Sequence, residues 1–147
     1  MKALIQRVSR GQVTIDGKVN GAIGPGFVVL LGVKEGDTED NARFLANKTV
    51  NLRIFSDENS NMNLSIQDNN GEILVVSQFT LYADTRKGNR PSFSKAGKPE
   101  LAEKLYELYV DCLRAELGSE RIATGSFGAM MEVEIINDGP VTIELET

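Results

Sequence analysis

Leu4, Gln6 and Val8 alternate with Ile5 and Arg7 at the start of the chain, the period of two expected of a strand. Val13 and Ile15 extend that pattern into Asp16-Gly17, a hairpin-turn dipeptide. Gly24-Pro25-Gly26 marks a second turn and opens the run Phe27-Val28-Val29-Leu30-Leu31. An unbroken apolar run of this kind predicts a strand buried on both faces. Thr38 is a suitable N-cap for a helix from about Glu39 to Leu52, with Ala42, Leu45, Thr49 and Leu52 on one stripe. Asn69-Asn70-Gly71 predicts a turn before a strand from Glu72 to Phe79. Pro99 stands where a first-turn proline belongs, and Leu101, Leu105, Leu108, Cys112 and Leu113 form the expected buried stripe of a second helix. Gly118 ends that helix. Cys112 is therefore read as a core thiol. Two further strands, about Met130 to Ile136 and Val141 to Glu146, flank Asn137-Asp138-Gly139-Pro140. These elements predict an α+β fold with a mainly antiparallel, barrel-like sheet and two main helices.

No linker, repeat or low-complexity tract interrupts residues 1–147, so the pattern is read as one domain. The chain contains no His, which excludes a Ser-His-Asp triad, a Cys-His dyad and a His-ligated metal site. Its single Cys excludes an intramolecular disulfide and a thiolate cluster. No metal or cofactor is expected. Met1 to Val8 is too short and too polar for a signal-peptide core, and Phe27 to Leu31 falls far short of the ~20 residues of a membrane span. A cytoplasmic protein without membrane contact is expected.

Two segments depart from plain scaffold chemistry. Ser77-Gln78-Phe79-Thr80-Leu81 sets polar groups at the end of the apolar strand Ile73-Leu74-Val75-Val76. Such groups either satisfy local backbone or face a pocket. Thr80 has no histidine to act as its base, so its hydroxyl is a weak nucleophile near neutral pH. Asn137-Asp138-Gly139-Pro140-Val141-Thr142 reads most simply as a connecting turn. Its Gly-Pro bond can adopt cis at a cost of only ~0.5–1 kcal/mol, which would orient two backbone carbonyls rigidly.

Taken together, these stretches resemble the D-aminoacyl-tRNA deacylase family, whose hallmarks are Ser-Gln-Phe-Thr-Leu and a later Asn-x-Gly-Pro-x-Thr. The resemblance extends to Ala3-Leu4-Ile5-Gln6-Arg7-Val8, Arg53-Ile54-Phe55-Ser56-Asp57, Met62-Asn63-Leu64 and Arg90-Pro91-Ser92-Phe93-Ser94. It implies a homodimer whose active site lies between subunits, with Gly139 and Pro140 of one chain opposite Ser77, Gln78, Phe79 and Thr80 of the other. By the same resemblance, Thr80 and Phe79 carry the catalytic groups and Arg7 orients the Gly-Pro carbonyls, although Arg7 also reads as an exposed side chain. Phe127 and Met131, in Gly125-Ser126-Phe127-Gly128-Ala129-Met130-Met131, are implied pocket contacts, and core packing explains them equally well.

The implied reaction is hydrolysis of the ester between a D-amino acid and the ribose at the tRNA 3′ end, with free D-amino acid as product. Aminoacyl esters are already activated, which suits a site without His, metal or reactive Cys. Either Thr80 attacks the carbonyl, or amides near Phe79 and Thr80 stabilise the oxyanion while the ribose 2′-hydroxyl and water move protons. The missing base favours the second. Rejecting L-substrates by 10⁴ requires ~5.5 kcal/mol, beyond the ~1–3 kcal/mol of a one-methylene difference in fit. A rigid backbone clamp could supply it, and glycyl-tRNA would then be poorly excluded.

The net charge of −5 opposes tRNA binding, but its distribution does not. Arg86, Lys87, Arg90, Lys95 and Lys98 stand against Asp84 alone, which makes this loop locally basic. Arg86, Lys87 and Arg90 are expected to grip the 3′ acceptor end, the alternative being a solvated loop. A non-catalytic nucleic-acid-binding dimer and a small-ligand β domain built around Phe79 and Phe127 remain as other readings.

Overall fold

In a computed structural model describing residues 1–147, the chain runs β1 (Lys2–Ile15), β2 (Lys18–Ile23), β3 (Gly26–Gly32), α1 (Glu39–Val50), β4 (Phe55–Ser56), β5 (Met62–Leu64), β6 (Glu72–Ser77), α2 (Pro99–Leu117), β7 (Ile122–Thr124) and β8 (Glu132–Glu146). The main sheet has the order β2-β1-β3-β6-β7, with β8 also paired to β1. β1 is antiparallel to β2, β3 and β8, whereas β3–β6 and β6–β7 are parallel. The parallel pairs follow from their connections. Each spans a helix, and only a long crossover returns the chain in the same direction.

Alternation along β3 and β6 divides the interior in two. Phe27, Val29, Leu31, Ile73 and Val75 face α1 and α2 in the larger core. Val28, Leu74 and Val76 face the opposite way, into a smaller core with Val8, Val13 and Ile23. Both strands are thus buried on both faces, as the apolar runs predict. The sheet curls around the smaller core until β2 approaches β7. There Asn20 Nδ2 donates to the Thr124 carbonyl at 2.9 Å, and a Cβ on Gly21 would lie 2.7 Å from that oxygen. The result is a nearly closed barrel with two helices on one side.

Several local expectations hold. Asp16 and Gly17 both have positive φ, 49° and 75°, as a tight hairpin turn demands. Thr38 is the N-cap of α1, but the carboxamide of Asn41 does the capping, accepting from the Thr38 N–H at 2.8 Å and its hydroxyl at 3.0 Å. Pro99 begins α2, and Gly118 follows its last residue with φ 92°.

Four expectations need correction. α1 ends at Val50, so Leu52 lies beyond it, half-buried against the core. β6 ends at Ser77, and Phe79–Tyr82 form a 3₁₀ turn. The buried face of α2 is Leu105, Tyr106, Tyr109, Val110, Leu113 and Leu117, with Leu101, Leu108 and Cys112 on its flank. Leu105 and Leu113 of the expected stripe are on the buried face, but two tyrosines that the leucine spacing omits occupy its centre. Tyr109 hydroxyl meets Thr49 at 2.7 Å and Tyr106 hydroxyl donates to Val75 O at 3.0 Å, which satisfies both phenols inside the core. Finally, Asn137–Pro140 does not separate two strands. β8 continues through it along β1.

Burial raises the pKa of Tyr106 to about 12, and burial likewise raises Tyr82 and Tyr109. A phenol raised in the folded state contributes stability that is complete below its ordinary value of about 10 and is lost as pH rises through the folded value. Thermal stability should therefore fall between about pH 10 and 12. A melting temperature that stays level over that range, after correction for lysine titration, would contradict the burial argument.

Candidate active site

The first motif sits where β6 leaves the sheet. Ser77 is the last residue paired to β3, and Gln78 N–H donates to Leu31 O at 2.8 Å. The chain then tightens into its 3₁₀ turn, with Leu81 N–H on Gln78 O at 3.3 Å. The N–H groups of Phe79 and Thr80 open this turn and donate to no main-chain acceptor. They are available hydrogen-bond donors on adjacent residues.

Ser77, Gln78 and Phe79 border a cavity of about 710 Å³. Its walls come from five separate stretches: Val76 to Phe79, Phe93, Ala96 to Pro99 with Ala102, Phe127 to Met131, and Val133. The lining is mostly apolar. Phe127 rests against Tyr106, ring centroids 5.9 Å apart, and Phe79 meets Phe93 edge-on at 5.0 Å. Gly125 makes space for the wall, since a Cβ there would lie 2.6 Å from Met131 Sδ. Phe79, Phe93 and Met130 remain exposed at the rim.

Thr80 is exposed and lies just outside the lining residues. Its hydroxyl oxygen accepts a hydrogen bond from Gln78 Nε2, and no carboxylate or amine bonds to it. A hydroxyl held as an acceptor, with no base beside it, is poorly prepared to attack.

The basic loop forms one side of the cavity. Asp84 and Ser92 exchange main-chain hydrogen bonds at 2.8 and 2.9 Å, and Gly97 N–H donates to Val33 O at 2.9 Å. These ties anchor both ends of the loop. The Asp84 carboxylate accepts from Arg86 Nε at 2.9 Å and pairs with Lys95 at 3.6 Å. The Arg86 hydrogen bonds hold Asp84 far below the usual carboxylate range. Lys87 and Arg90 are exposed and have no acidic partner.

Arg7, Gly139 and Pro140 lie together, but none lines the cavity. Gln6 of β1 pairs with Thr142 and Val8 pairs with Asn137, so residues 138–141 of β8 arch out opposite Arg7 alone. Gly139 has φ 123°, and its peptide bond to Pro140 is cis. Asp138, Gly139 and Pro140 are exposed while Val141 turns inward. The Arg7 side chain is 11% exposed, so it is not the solvated side chain that was one reading. Arg7 Nε faces Asp138 O at 3.3 Å and Asp138 Oδ2 at 3.1 Å, and Nη1 donates to Ile54 O at 2.6 Å. Asn137 Nδ2 donates to Arg7 O at 2.9 Å and Val141 O at 3.0 Å.

The motifs identify Ser77, Gln78, Phe79, Phe127 and Met131 as wall or rim residues. They miss Phe93, the Ala96–Pro99 stretch, Ala102 and Val133. Phe93 had a visible signal, an aromatic residue within a basic loop. Ala102 had none.

The architecture is that of a small α+β barrel whose pocket opens at the end of a parallel strand pair, with hydroxyl, carboxamide and main-chain groups on its polar edge. A profile of the D-Tyr-tRNA(Tyr) deacylase family matches residues 4–146. A D-aminoacyl-tRNA deacylase of Dehalococcoides mccartyi is 57% identical over all 147 residues and 95% of its own length. Another from Carboxydothermus hydrogenoformans is 54% identical, covering 99% of each chain. Among solved structures, one described as a c-Myc DNA unwinding element binding protein is 47% identical with TM-score 0.95, covering 100% of this chain and 99% of that one. A probable eukaryotic D-amino acid tRNA deacylase shares the fold, with TM-score 0.82 at 17% identity, over 98% of this chain and 97% of that one. The chain belongs to the D-Tyr-tRNA(Tyr) deacylase family, and so to the carboxylic-ester hydrolases.

Proposed function

We propose that residues 1–147 act as one domain that hydrolyses the ester of D-aminoacyl-tRNA and rejects the L-substrate through the Gly139-Pro140 arch. The observation that carries this reading is the apolar cavity bordered at once by free main-chain donors near Phe79 and by a basic loop. The cavity suits the phosphate-free 3′ end of the substrate, and the loop suits the adjoining phosphates. The Phe79 and Thr80 amides stabilise the oxyanion that develops on the ester carbonyl. The ribose 2′-hydroxyl and water carry the protons. Thr80 then positions substrate and does not attack it.

The arch stands away from the cavity of its own chain. The clamp therefore acts across a homodimer, with Gly139 and Pro140 of one subunit entering the partner's site. Contacts made only to groups shared by all amino acids leave side-chain specificity broad and glycyl-tRNA a substrate. A protein that is monomeric while fully active would overturn the cross-subunit arrangement.

Incubation with D-tyrosyl-tRNA and L-tyrosyl-tRNA tests the whole reading. Catalytic release of D-tyrosine alone is expected. Retention of both substrates unhydrolysed would instead identify a nucleic-acid binder, and indifference to both a small-ligand protein.

Neutralising Arg86, Lys87 and Arg90 together should raise KM and flatten its salt dependence while kcat changes little. Phosphate contacts contribute alike to ground and transition states. Lys87 and Arg90 should contribute most, because Asp84 already engages Arg86. An unchanged KM at moderate salt would make the cluster an ordinary solvated loop.

A further inference from the structure

We infer that Asn137 is a positioning residue for stereochemical selection, acting through the arch it closes; this rests on the clamp reading above. Residues 138–141 of β8 leave the regular ladder opposite Arg7, so this stretch lacks most of the strand pairing that holds the rest of β8 in place. A side chain that bonds main-chain groups on both sides of such a bulge can take over part of that restraint. Asn137 does so, donating from Nδ2 to the Arg7 carbonyl. The same Nδ2 donates to Val141 O, so one carboxamide nitrogen joins the neighbouring strand to the far foot of the arch. Asn137 is half-buried, which limits the competition from water.

The arch has a second, separate brace. The Arg7 guanidinium reaches Asp138 from one side and Ile54 O from the other, linking the arch to the segment that leads into β4. Asn137 fixes the feet of the arch and Arg7 fixes its shoulder. Gly139 lies between them, where a Cβ would meet Val141 Cγ2 at 2.8 Å and Arg7 Nη2 at 3.1 Å. With both supports in place, the exposed carbonyls of this segment have one orientation relative to the sheet. A clamp that excludes one stereoisomer requires this, because a displacement of a fraction of an ångström lets the wrong isomer enter.

Asparagine is specifically suited to this place. Aspartate has nearly the same shape but would set a carboxylate oxygen against two carbonyl oxygens. Alanine removes the donors and adds no repulsion. Both variants leave the cavity and the Phe79 and Thr80 amides untouched, since Asn137 does not line the cavity. Loosened selection should consequently appear without loss of the hydrolytic groups.

The experiment measures kcat and KM for D-tyrosyl-tRNA and L-tyrosyl-tRNA with wild type, Asn137→Asp, Asn137→Ala and Gly139→Ala, each normalised to folded protein by thermal melting. The D-over-L ratio of kcat/KM should fall about tenfold or more in Asn137→Asp and by less in Asn137→Ala. A merely structural role scales both substrates together and leaves the ratio and both KM values unchanged. That outcome in the folded Asn137 variants, with Gly139→Ala altering the ratio, would overturn the assignment and preserve the clamp. If Gly139→Ala also leaves the ratio unchanged, the clamp reading itself fails. Where Asn137→Asp folds poorly, Asn137→Ala is decisive by the same criterion.

Discussion

Wild-type enzyme given D-aminoacyl-tRNA esterified at the 3′ position of a terminal 2′-deoxyribose should slow by about 10²-fold or more, whereas Thr80→Ala with the ordinary substrate should lose about tenfold or less. Positioned proton transfer contributes typically about 10²–10⁴-fold, so its removal is a large effect. The chain has no group placed to replace it. There is no His, and Thr80 Oγ1 is engaged by the Gln78 carboxamide without any base beside it. The substitution removes that hydroxyl but keeps the Thr80 N–H, which the proposed mechanism uses as an oxyanion donor. Single-turnover rates at saturating enzyme separate chemistry from binding. An inactive Thr80→Ala enzyme together with normal cleavage of the 2′-deoxy substrate would reverse the mechanism and make Thr80 the nucleophile.

Gly26→Ala should prevent accumulation of folded protein, at a cost of about 3 kcal/mol or more, the upper end of overpacking penalties. Gly26 pairs with Glu72 where the parallel strands β3 and β6 begin. A Cβ there would lie 1.8 Å from Glu72 O and 2.7 Å from Glu72 N. These are main-chain atoms of two directly paired strands and cannot swing aside. Separating the strands would disturb both cores at once, because alternate residues of β3 belong to each. Gly24→Ala is the natural comparison. Its Cβ would meet only the Glu72 carboxylate at 3.4 Å, a side-chain end that can shift. Chemical denaturation should show that variant near wild type, within roughly 0.5–1 kcal/mol. Equal stability of the two variants would contradict the packing argument.

The candidate site was only partly legible before the fold was known. Ser77 to Thr80 announces itself as polar chemistry at the end of an apolar run, and Ser77, Gln78 and Phe79 of it border a cavity. Arg7 was ambiguous because an arginine on a strand pattern is ordinarily exposed. Its true environment depends on Asp138 and Ile54, which are distant in sequence. Asn137 looked like turn punctuation. Asparagine favours turns, and its role here emerges only when β1 lies alongside and presents the Arg7 carbonyl. The face of α2 is partly legible for a related reason. Leucine spacing marks Leu105 and Leu113, while Tyr106 and Tyr109 join the buried face through hydrogen-bonding partners distant in sequence.

By itself the sequence determined what local forces control: the Asp16-Gly17 turn, the doubly buried β3 and β6, the limits of α2, and the absence of histidine chemistry. These depend on backbone freedom, side-chain period and composition, all carried by neighbouring residues. Only the tertiary structure decided that β8 arches and does not turn back, that five distant stretches enclose one cavity, and that the two motifs of one chain stand apart. Strand partnership and enclosure are relations between residues tens of positions apart, and no local pattern encodes which carbonyl a side chain such as Asn137 will reach or which wall an alanine such as Ala102 will complete.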